Sequence, residues 1–418
     1  MDLQFGQRVN CDRLLGALTI TSHRSDLRRN QGRRNQGMNL KTLLLSSDEK
    51  TVRILRRVLG DLEIEVKHCS TADDAIHQIT RQRFEGIIVD VTNMEEASDV
   101  LRGAKAAPVN KRALAIVLVD SAVGIKGGFE MGAHFVLHKP FAVERAKASF
   151  RAVRALMKRE RRMQMRVAVQ VPVSCFGSAS YKANTLDLCE GGMAIKFSGR
   201  VPKESPLRFS LELPGMTQVL EIYGELAWEG SSEQAGVRFK DATDEQRALL
   251  RQWLSKQIAE PEENDPPVNC RVTELSAGGC YLTTNSPFPR GTRVILSIKT
   301  SGAEARGKGF VLVAHPEVGM GVEFLQKTAD QRDQAQRLVT TLDAQGEGPE
   351  LHVEPEELEM SPDDRMAMAV ASKSEGPRSE DPLVDFFRQK FQIPVEAFME
   401  QMREARQSCE SRSLSAKR

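Results

Sequence analysis

The sequence predicts a multidomain α/β plus β chain: a parallel sheet with flanking helices, then two β-rich units that each end in a helix. Three observations predict it. From Met38 to Lys158 short apolar runs alternate with amphipathic stretches, the pattern of a parallel sheet covered on both faces. Beyond residue 160 the apolar period falls to two, as in strands with one buried face. Finally, Cys270–Leu282 repeats the pattern of Thr185–Ile195, so the second β unit copies the first.

The 418 residues leave room for about three domains. With 40% hydrophobic and 28% charged residues the chain reads as globular and soluble, with some disorder. No apolar run approaches the ~18–20 residues that span a bilayer, so no membrane insertion is expected, and the N-terminus lacks the apolar core of a secretory signal. A net charge of +2 makes no global case for nucleic acid. The cysteines (Cys11, Cys69, Cys175, Cys189, Cys270, Cys280 and Cys409) are odd in number and scattered, without CxxC. That argues for reduced thiols in a cytoplasmic protein and against a disulfide framework or a zinc site.

Residues 1–37, rich in Arg, Asn, Gly and Ser, are expected to be disordered. Met38 directly precedes the first clear strand, as it would if the start codon were set too far upstream; a basic arm is the other reading. The first domain then covers 38–158. Its expected strands are Thr42–Leu45, Ile64–His68, Gly86–Val91, Ala115–Val119 and Phe135–Leu137, with amphipathic segments such as Val52–Leu59 and Ala72–Arg81 between them. Its anchors are Phe84–Asp90 and Met131–Phe141. This segment resembles the receiver domain of two-component response regulators, a flavodoxin-like fold.

The resemblance implies that Asp90, at the end of the third strand, holds the place of the phosphoacceptor, and Lys139 that of the phosphate-contacting lysine. It also implies that the Lys139–Pro140 bond is often cis. A receiver holds Mg²⁺ on an acidic pair after strand one. Here that place reads Ser46-Ser47-Asp48-Glu49, so only Asp48 is a metal candidate, through a one-residue offset of the loop. The switch hydroxyl after strand four falls on Val119, with Ser121 close by. Mg²⁺ is therefore not expected, and the domain reads as a pseudo-receiver in which Asp90 is a retained strand-end carboxylate.

Next come Glu160-Arg161-Arg162-Met163-Gln164-Met165-Arg166 and, after an apolar run, Asp187-Leu188-Cys189-Glu190-Gly191-Gly192. The pair R-x-x-x-R and D/N-x-S-x-x-G resembles the PilZ domain, a small β-barrel receptor for cyclic di-GMP. Downstream the pattern continues. Leu220, Ile222, Leu226 and Trp228 are expected on one strand face, Ala235–Phe239 as a closing strand, and Asp244–Gln257 as a helix. The resemblance covers 160–257 and sets the domain at 159–258. It implies that Arg162, Arg166, Asp187, Cys189 and Gly192 contact cyclic di-GMP, with Arg161 as an extra cation.

The chemistry suits that ligand. Arginine pairs bidentately with phosphate and with guanine, and stacks on a flat ring. Two arginines in a flexible lead-in can close over a ligand after it lands, and Asp187 can accept from a guanine N–H edge. The double glycine Gly191-Gly192 permits positive φ and a close approach of backbone to ligand. Cys189 departs from the family's serine and is a weaker hydrogen-bonding group, at a cost of about 1 kcal/mol if the hydroxyl meets ligand.

A linker, Glu260–Pro267, leads to a second unit at 266–344. It resembles a degenerate PilZ domain through Ser276, Gly279, Gly319–Phe324 and a helix over Asp330–Leu342. It has Glu274 where the family has Asp or Asn, and its lead-in Asp265–Asn269 lacks R-x-x-x-R, so a structural or dimerising role is expected. Residues 345–418 turn acidic and Pro/Ser-rich, as a disordered tail does. Within them a short helix over Pro382–Gln392 groups Leu383, Phe386, Phe387 and Phe391, and a further segment, Val395–Arg406, follows Pro394.

The chain is thus read as a bacterial signalling receptor for cyclic di-GMP, with unknown protein partners and with homo-oligomers allowed. The competing reading is a scaffold that uses the same modules without nucleotide. DNA binding finds no helix-turn-helix after the receiver, and enzymatic activity finds no nucleophile–base grouping.

Overall fold

The computed structural model describes residues 40–203, 206–230, 233–240, 242–257, 265–299, 304–346, 348–358, 381–390 and 393–404. The expectations for residues 1–37, Phe391 and most of the 260–267 linker lie outside them. The chain divides into Met1–Leu40 and Lys41–Arg418, and everything below concerns the second unit.

The first domain runs β1 (Leu40–Leu45), α1 (Glu49–Asp61), β2 (Ile64–Cys69), α2 (Ala72–Arg81), β3 (Gly86–Asp90), α3 (Met94–Ala106), β4 (Leu114–Val119), α4 (Gly124–Glu130) and β5 (Phe135–His138). The strand order is β2-β1-β3-β4-β5, the flavodoxin-like order, and the β1–β3, β3–β4 and β4–β5 pairs are parallel. Every residue of β3 and β4 is buried, which is why these strands read as unbroken apolar runs. In α1, Val52, Leu55, Val58 and Leu59 fall on one face and are buried. The Lys139–Pro140 peptide after β5 is cis.

Helix α5 (Val143–Gln164) then runs without a break through the domain boundary expected at 158/159. Phe150, Val153, Leu156, Met157 and Met163 are buried along it. Apolar spacing of three and four residues therefore continues beyond the first domain, and the expected flexible lead-in is instead the last turn of a helix. Only β6 (Val167–Ala168) remains between that turn and the barrel.

The first barrel comprises β7 (Pro172–Phe176), β8 (Ser180–Cys189), β9 (Gly192–Phe197), β10 (Leu207–Glu212), β11 (Val219–Glu229) and β12 (Gln234–Lys240), followed by α6 (Asp244–Gln257). Its order is β7-β10-β11-β12-β9-β8, closed by β8–β7 pairing. Leu207, Phe209, Leu220 and Ile222 fill the interior, and Leu250, Trp253 and Leu254 of α6 join that core. The face expected for β11 holds through Leu226. A register shift between Leu226 and Trp228 then turns Trp228 outward, where it is 45% exposed. A bulge inserts one residue and so reverses the alternation.

The second barrel is formed by β13 (Val268–Leu275), β14 (Gly279–Thr283), β15 (Thr292–Lys299), β16 (Glu304–His315), β17 (Gly319–Phe324) and β18 (Glu350–Leu358), with α7 (Ala329–Ala344) before the last strand. The order β13-β14-β17-β16-β15-β18 closes through β18–β13 pairing. Matched strand for strand, β8, β9, β10, β11 and β12 correspond to β13, β14, β15, β16 and β17. The bulge between Thr185 and Asp187 recurs between Val272 and Glu274, and that between Leu226 and Trp228 recurs between Val311 and Val313. The slot of β7, which opens the first barrel, is filled by β18 from the other end of the unit. The second barrel is a circular permutation of the first.

This corrects the expectation of a disordered tail from residue 345. Leu351, Val353 and Leu358 are buried in the barrel wall. Pro355 stands opposite Val294, where the β15–β18 ladder is irregular and a missing N–H is tolerated. The acids are held by cations from other elements. Lys308 pairs with Glu356 at 2.9 Å, and Arg247 with Glu357 at 2.8 Å. The tail continues as α8 (Pro382–Lys390) and a helical run, 395–404.

Candidate functional site

The motif turn of the first barrel joins β8 to β9. Cys189 and Gly192 are paired residues across it, and Gly191 with Glu190 forms its tip. Neither glycine uses the positive φ that its lack of a side chain permits. Gly192 is required for a different reason: a Cβ there would lie 2.1 Å from the Val237 carbonyl oxygen of β12. The equivalent Cβ on Gly279 would lie 2.4 Å from the Val322 carbonyl oxygen. The Cys189 thiol is buried, and burial pushes its pKa up, while the amides of Gly191 and Gly192 that bond to it pull the other way. Cys189 therefore holds the turn from inside.

Pairing of β6 with β8 sets Ala168 against Asp187 and brings Arg166 alongside. Arg166 Nη1 donates to Asp187 Oδ1 at 2.7 Å, and the same oxygen accepts the Ala194 N–H at 3.2 Å. The Arg166 side chain stays 47% exposed.

Arg162 sits on the last turn of α5, half-buried. Burial is the main cause that lowers its pKa; the charges of Arg159 and Arg251 act in the same sense, and Glu190 and Asp265 oppose them. Arg161 does not belong to this group. One residue is about 100° of helix rotation, so Arg161 faces the first domain and lines a shallow pocket with Arg83, Glu85, Arg112 and Gln164. Burial also lowers its pKa, against the attraction of Glu85. That rotation sets Arg161, expected as an additional site cation, apart from Arg162 and beside Arg83 and Glu85.

Two arginines that the sequence reading passed over, Arg159 and Arg251, complete the cluster. Arg159 is buried and donates to Glu190 through Nη1 at 3.1 Å and Nη2 at 2.8 Å, while its Nε donates to the Glu356 carbonyl. Arg251 of α6 lies 3.6 Å from Glu190. Burial raises the Glu190 pKa, but the hydrogen bonds and charge of Arg159, with Arg251 and Arg162, outweigh it and hold the carboxyl below its ordinary value. Asp265 accepts from Lys158 at 2.8 Å and from Arg154. The missed signal was helical: Arg159 and Arg162 stand three apart on α5 and so share a face, whereas Arg161 does not.

In the first domain, Asp90 is buried at the end of β3. Its Oδ1 pairs with Lys139 Nζ, and its Oδ2 accepts the Ser46 hydroxyl at 2.8 Å. Asp48 is held by its own helix, within reach of the Lys139 charge. It is the N-cap of α1 and accepts the Lys50 and Thr51 N–H groups and the Thr51 hydroxyl, at 2.6 Å for the last. Those bonds, the Thr51 hydroxyl first, hold its carboxyl below the usual range. Val119 is fully buried, and Asp120, the next residue, caps the Ala122 and Val123 amides. Among the described residues no group of three or more His, Cys, Asp or Glu stands close enough to hold a metal ion.

The family model for the PilZ domain matches twice, over 160–256 and 257–341. Residues 160–256 and 257–341 are PilZ domains. The second match stops short of β18, as it must where the first strand of a PilZ barrel has moved to the end of the unit. PilZ domains form a cyclic di-GMP receptor family of regulatory modules. No curated protein matches the chain.

Solved structures resemble its parts. The receiver domain of a sensor histidine kinase from Pseudomonas aeruginosa, with magnesium in its active-site cleft, is 20% identical, with a TM-score of 0.24 over 26% of this chain and 92% of that one. A response regulator from Thermotoga maritima is 17% identical, with a TM-score of 0.26 over 28% and 99%. The PilZ domain of CeSA from a cellulose-synthesizing bacterium is 18% identical, with a TM-score of 0.18 over 21% and 92%. No described helix is long and apolar enough to cross a membrane.

Proposed function

We propose that this chain is a cytoplasmic bacterial receptor that binds cyclic di-GMP through its first PilZ domain. The receiver-like domain acts as an unphosphorylated regulatory or interaction module. The carrying observation is the meeting of Arg166 and Asp187 at a half-exposed position beside the Arg159–Arg162–Arg251 cluster. Three guanidinium groups around Glu190 leave a surplus of positive potential, and an arriving phosphate relieves their mutual repulsion. Arg166 then exchanges one anionic partner for another, and Asp187 is released to accept from a guanine N–H. The described cysteines are all free thiols, as a reducing compartment requires.

Isothermal titration with cyclic di-GMP tests the reading and is expected to give one site per chain. Arg162→Ala or Arg166→Ala should each weaken binding by about 2–3 kcal/mol, roughly 30- to 150-fold, since each removes charge-assisted bonds. Asp187→Ala should cost about 1–3 kcal/mol, the worth of one base contact. Cys189→Ser should leave affinity equal or improved. If saturating ligand gives neither heat nor thermal shift, the scaffold reading takes over. The satisfied pairs Arg159–Glu190 and Arg166–Asp187 are what favours that alternative.

The receiver residues do not suit Mg²⁺. The position of the acidic pair offers the Ser46 hydroxyl, already donated to Asp90, and Asp48 is committed to its helix cap. Incubation with acetyl phosphate and Mg²⁺ is expected to leave the intact mass unchanged. Gain of one phosphoryl group that vanishes in Asp90→Asn would refute this, and its further loss in Asp48→Ala would show that Asp48 swings in.

A further inference from the structure

The second PilZ domain repeats the motif turn as Ser276-Ala277-Gly278-Gly279, and that turn is occupied by the chain's own tail. Asp381 Oδ1 lies 3.0 Å from the Ser276 hydroxyl, and its Oδ2 accepts the Gly278 N–H at 2.8 Å. Oδ1 also accepts the N–H groups of Leu383 and Val384, at 3.0 and 3.2 Å. One carboxylate thus caps α8 and clasps the turn. Downstream, Val384 and Phe387 are buried on the barrel, and Phe398 and Met402 of the following helical run join them.

Their counterpart on the barrel is Tyr281, whose ring centroid lies 6.2 Å from that of Phe387 and 5.7 Å from that of Phe398. The surface is shaped for the tail: a Cβ on Gly321 would lie 2.9 Å from the Phe387 ring. Arg388 adds an ion pair to Glu323 at 2.6 Å, and Glu323 is the register partner of Gly279. Ser276 and Gly279 are the residues that match Cys189 and Gly192 of the first domain.

We propose that the motif face of the second PilZ domain is a receptor for the chain's own C-terminal segment, 381–404, docked in cis, and that this occupant closes the face to cyclic dinucleotides. The chemistry at the turn is selective. It offers a hydroxyl and a backbone N–H, neutral donors that fit one carboxylate at a helix N-terminus, with an apolar aromatic floor beside them for the helix. The proposal does not depend on nucleotide binding by the first domain.

Hydrogen exchange of the full-length protein, read by mass spectrometry, tests it. In the wild type the amides of 382–390 and 395–404 should exchange at least about tenfold more slowly than in a synthetic peptide of residues 379–406. Asp381→Ala and, separately, Phe387→Ser should abolish that protection while β15, β16 and the first PilZ domain keep theirs. The same peptide should then bind the Phe387→Ser protein and not the wild type.

Equal exchange in protein and peptide, unchanged protection in both variants, or failure of the peptide to bind a Phe387→Ser protein with an intact barrel would each overturn the proposal. Protection that falls on dilution would assign the face to the tail of a second copy and overturn docking in cis. Release of the tail by cyclic di-GMP in an Arg162→Ala background would show that the face is open to nucleotide.

Discussion

Glu190→Ala is expected to lower the stability of the protein by about 3–5 kcal/mol, the usual cost of removing one partner of a buried ion pair. Arg159 is buried, and Glu190 is the carboxylate that receives both of its terminal nitrogens. Without it, Arg159 loses the acceptor of both terminal nitrogens, and Glu356, 3.9 Å from Arg251, and Asp265, which acts on Arg162, are left to offset the cluster. A double replacement, Arg159→Met with Glu190→Leu, should recover much of the loss, because the desolvated charges leave together.

The pH dependence has a definite sign. The folded-state pKa of Glu190 lies below its unfolded value, so its contribution is present above the ordinary carboxylate range and is lost as pH falls through the folded pKa. Urea denaturation of wild type and Glu190→Gln should accordingly differ at neutral pH and converge in acid. Equal midpoints at pH 7 would show that the cluster does not hold the joint between α5 and the barrel.

Gly192→Ala is expected to cost about 3 kcal/mol or more, while Gly191→Ala costs less than about 1 kcal/mol. The two glycines are neighbours, yet they meet different surroundings. A Cβ at 192 runs into the backbone carbonyl of Val237, which cannot move without breaking the β9–β12 ladder; one at 191 reaches only the Met163 carbonyl, at an ordinary 3.7 Å. Thermal unfolding separates the cases, and a Gly192→Ala protein that melts with the wild type would contradict the close approach of β9 and β12.

Much of the fold was legible in local pattern. The strands of the first domain fell within a residue or two of their expected ends, and the motif residues Asp187, Cys189 and Gly192 stand on one strand-turn-strand unit as expected. The site was legible less evenly. Arg162 and Arg166 flank the motif, but Arg161 points to the first domain, and Arg159 and Arg251 had no place in the sequence pattern. A basic run names charges without orienting them. The continuation of α5 through Gln164 orients these, and that continuation rests on Leu156 and Met163 being buried by elements distant in sequence.

Residues 350–358 show the same limit from the other side. Glu354-Pro355-Glu356-Glu357 has the composition of a linker, and its charges are tolerable in a strand only because Arg247 and Lys308 arrive from α6 and β16. The sequence by itself determined the periods, hence the element types, the parallel sheet and the presence of two copies of one motif. Only the tertiary structure decided which strand closes the second barrel, which arginines share a face with Glu190, and what covers Ser276 and Tyr281. Periodicity is set by neighbours three or four residues away, whereas barrel closure, ion pairing and tail docking join residues about a hundred or more positions apart in some pairs, such as Ser276 with Asp381 and Arg247 with Glu357.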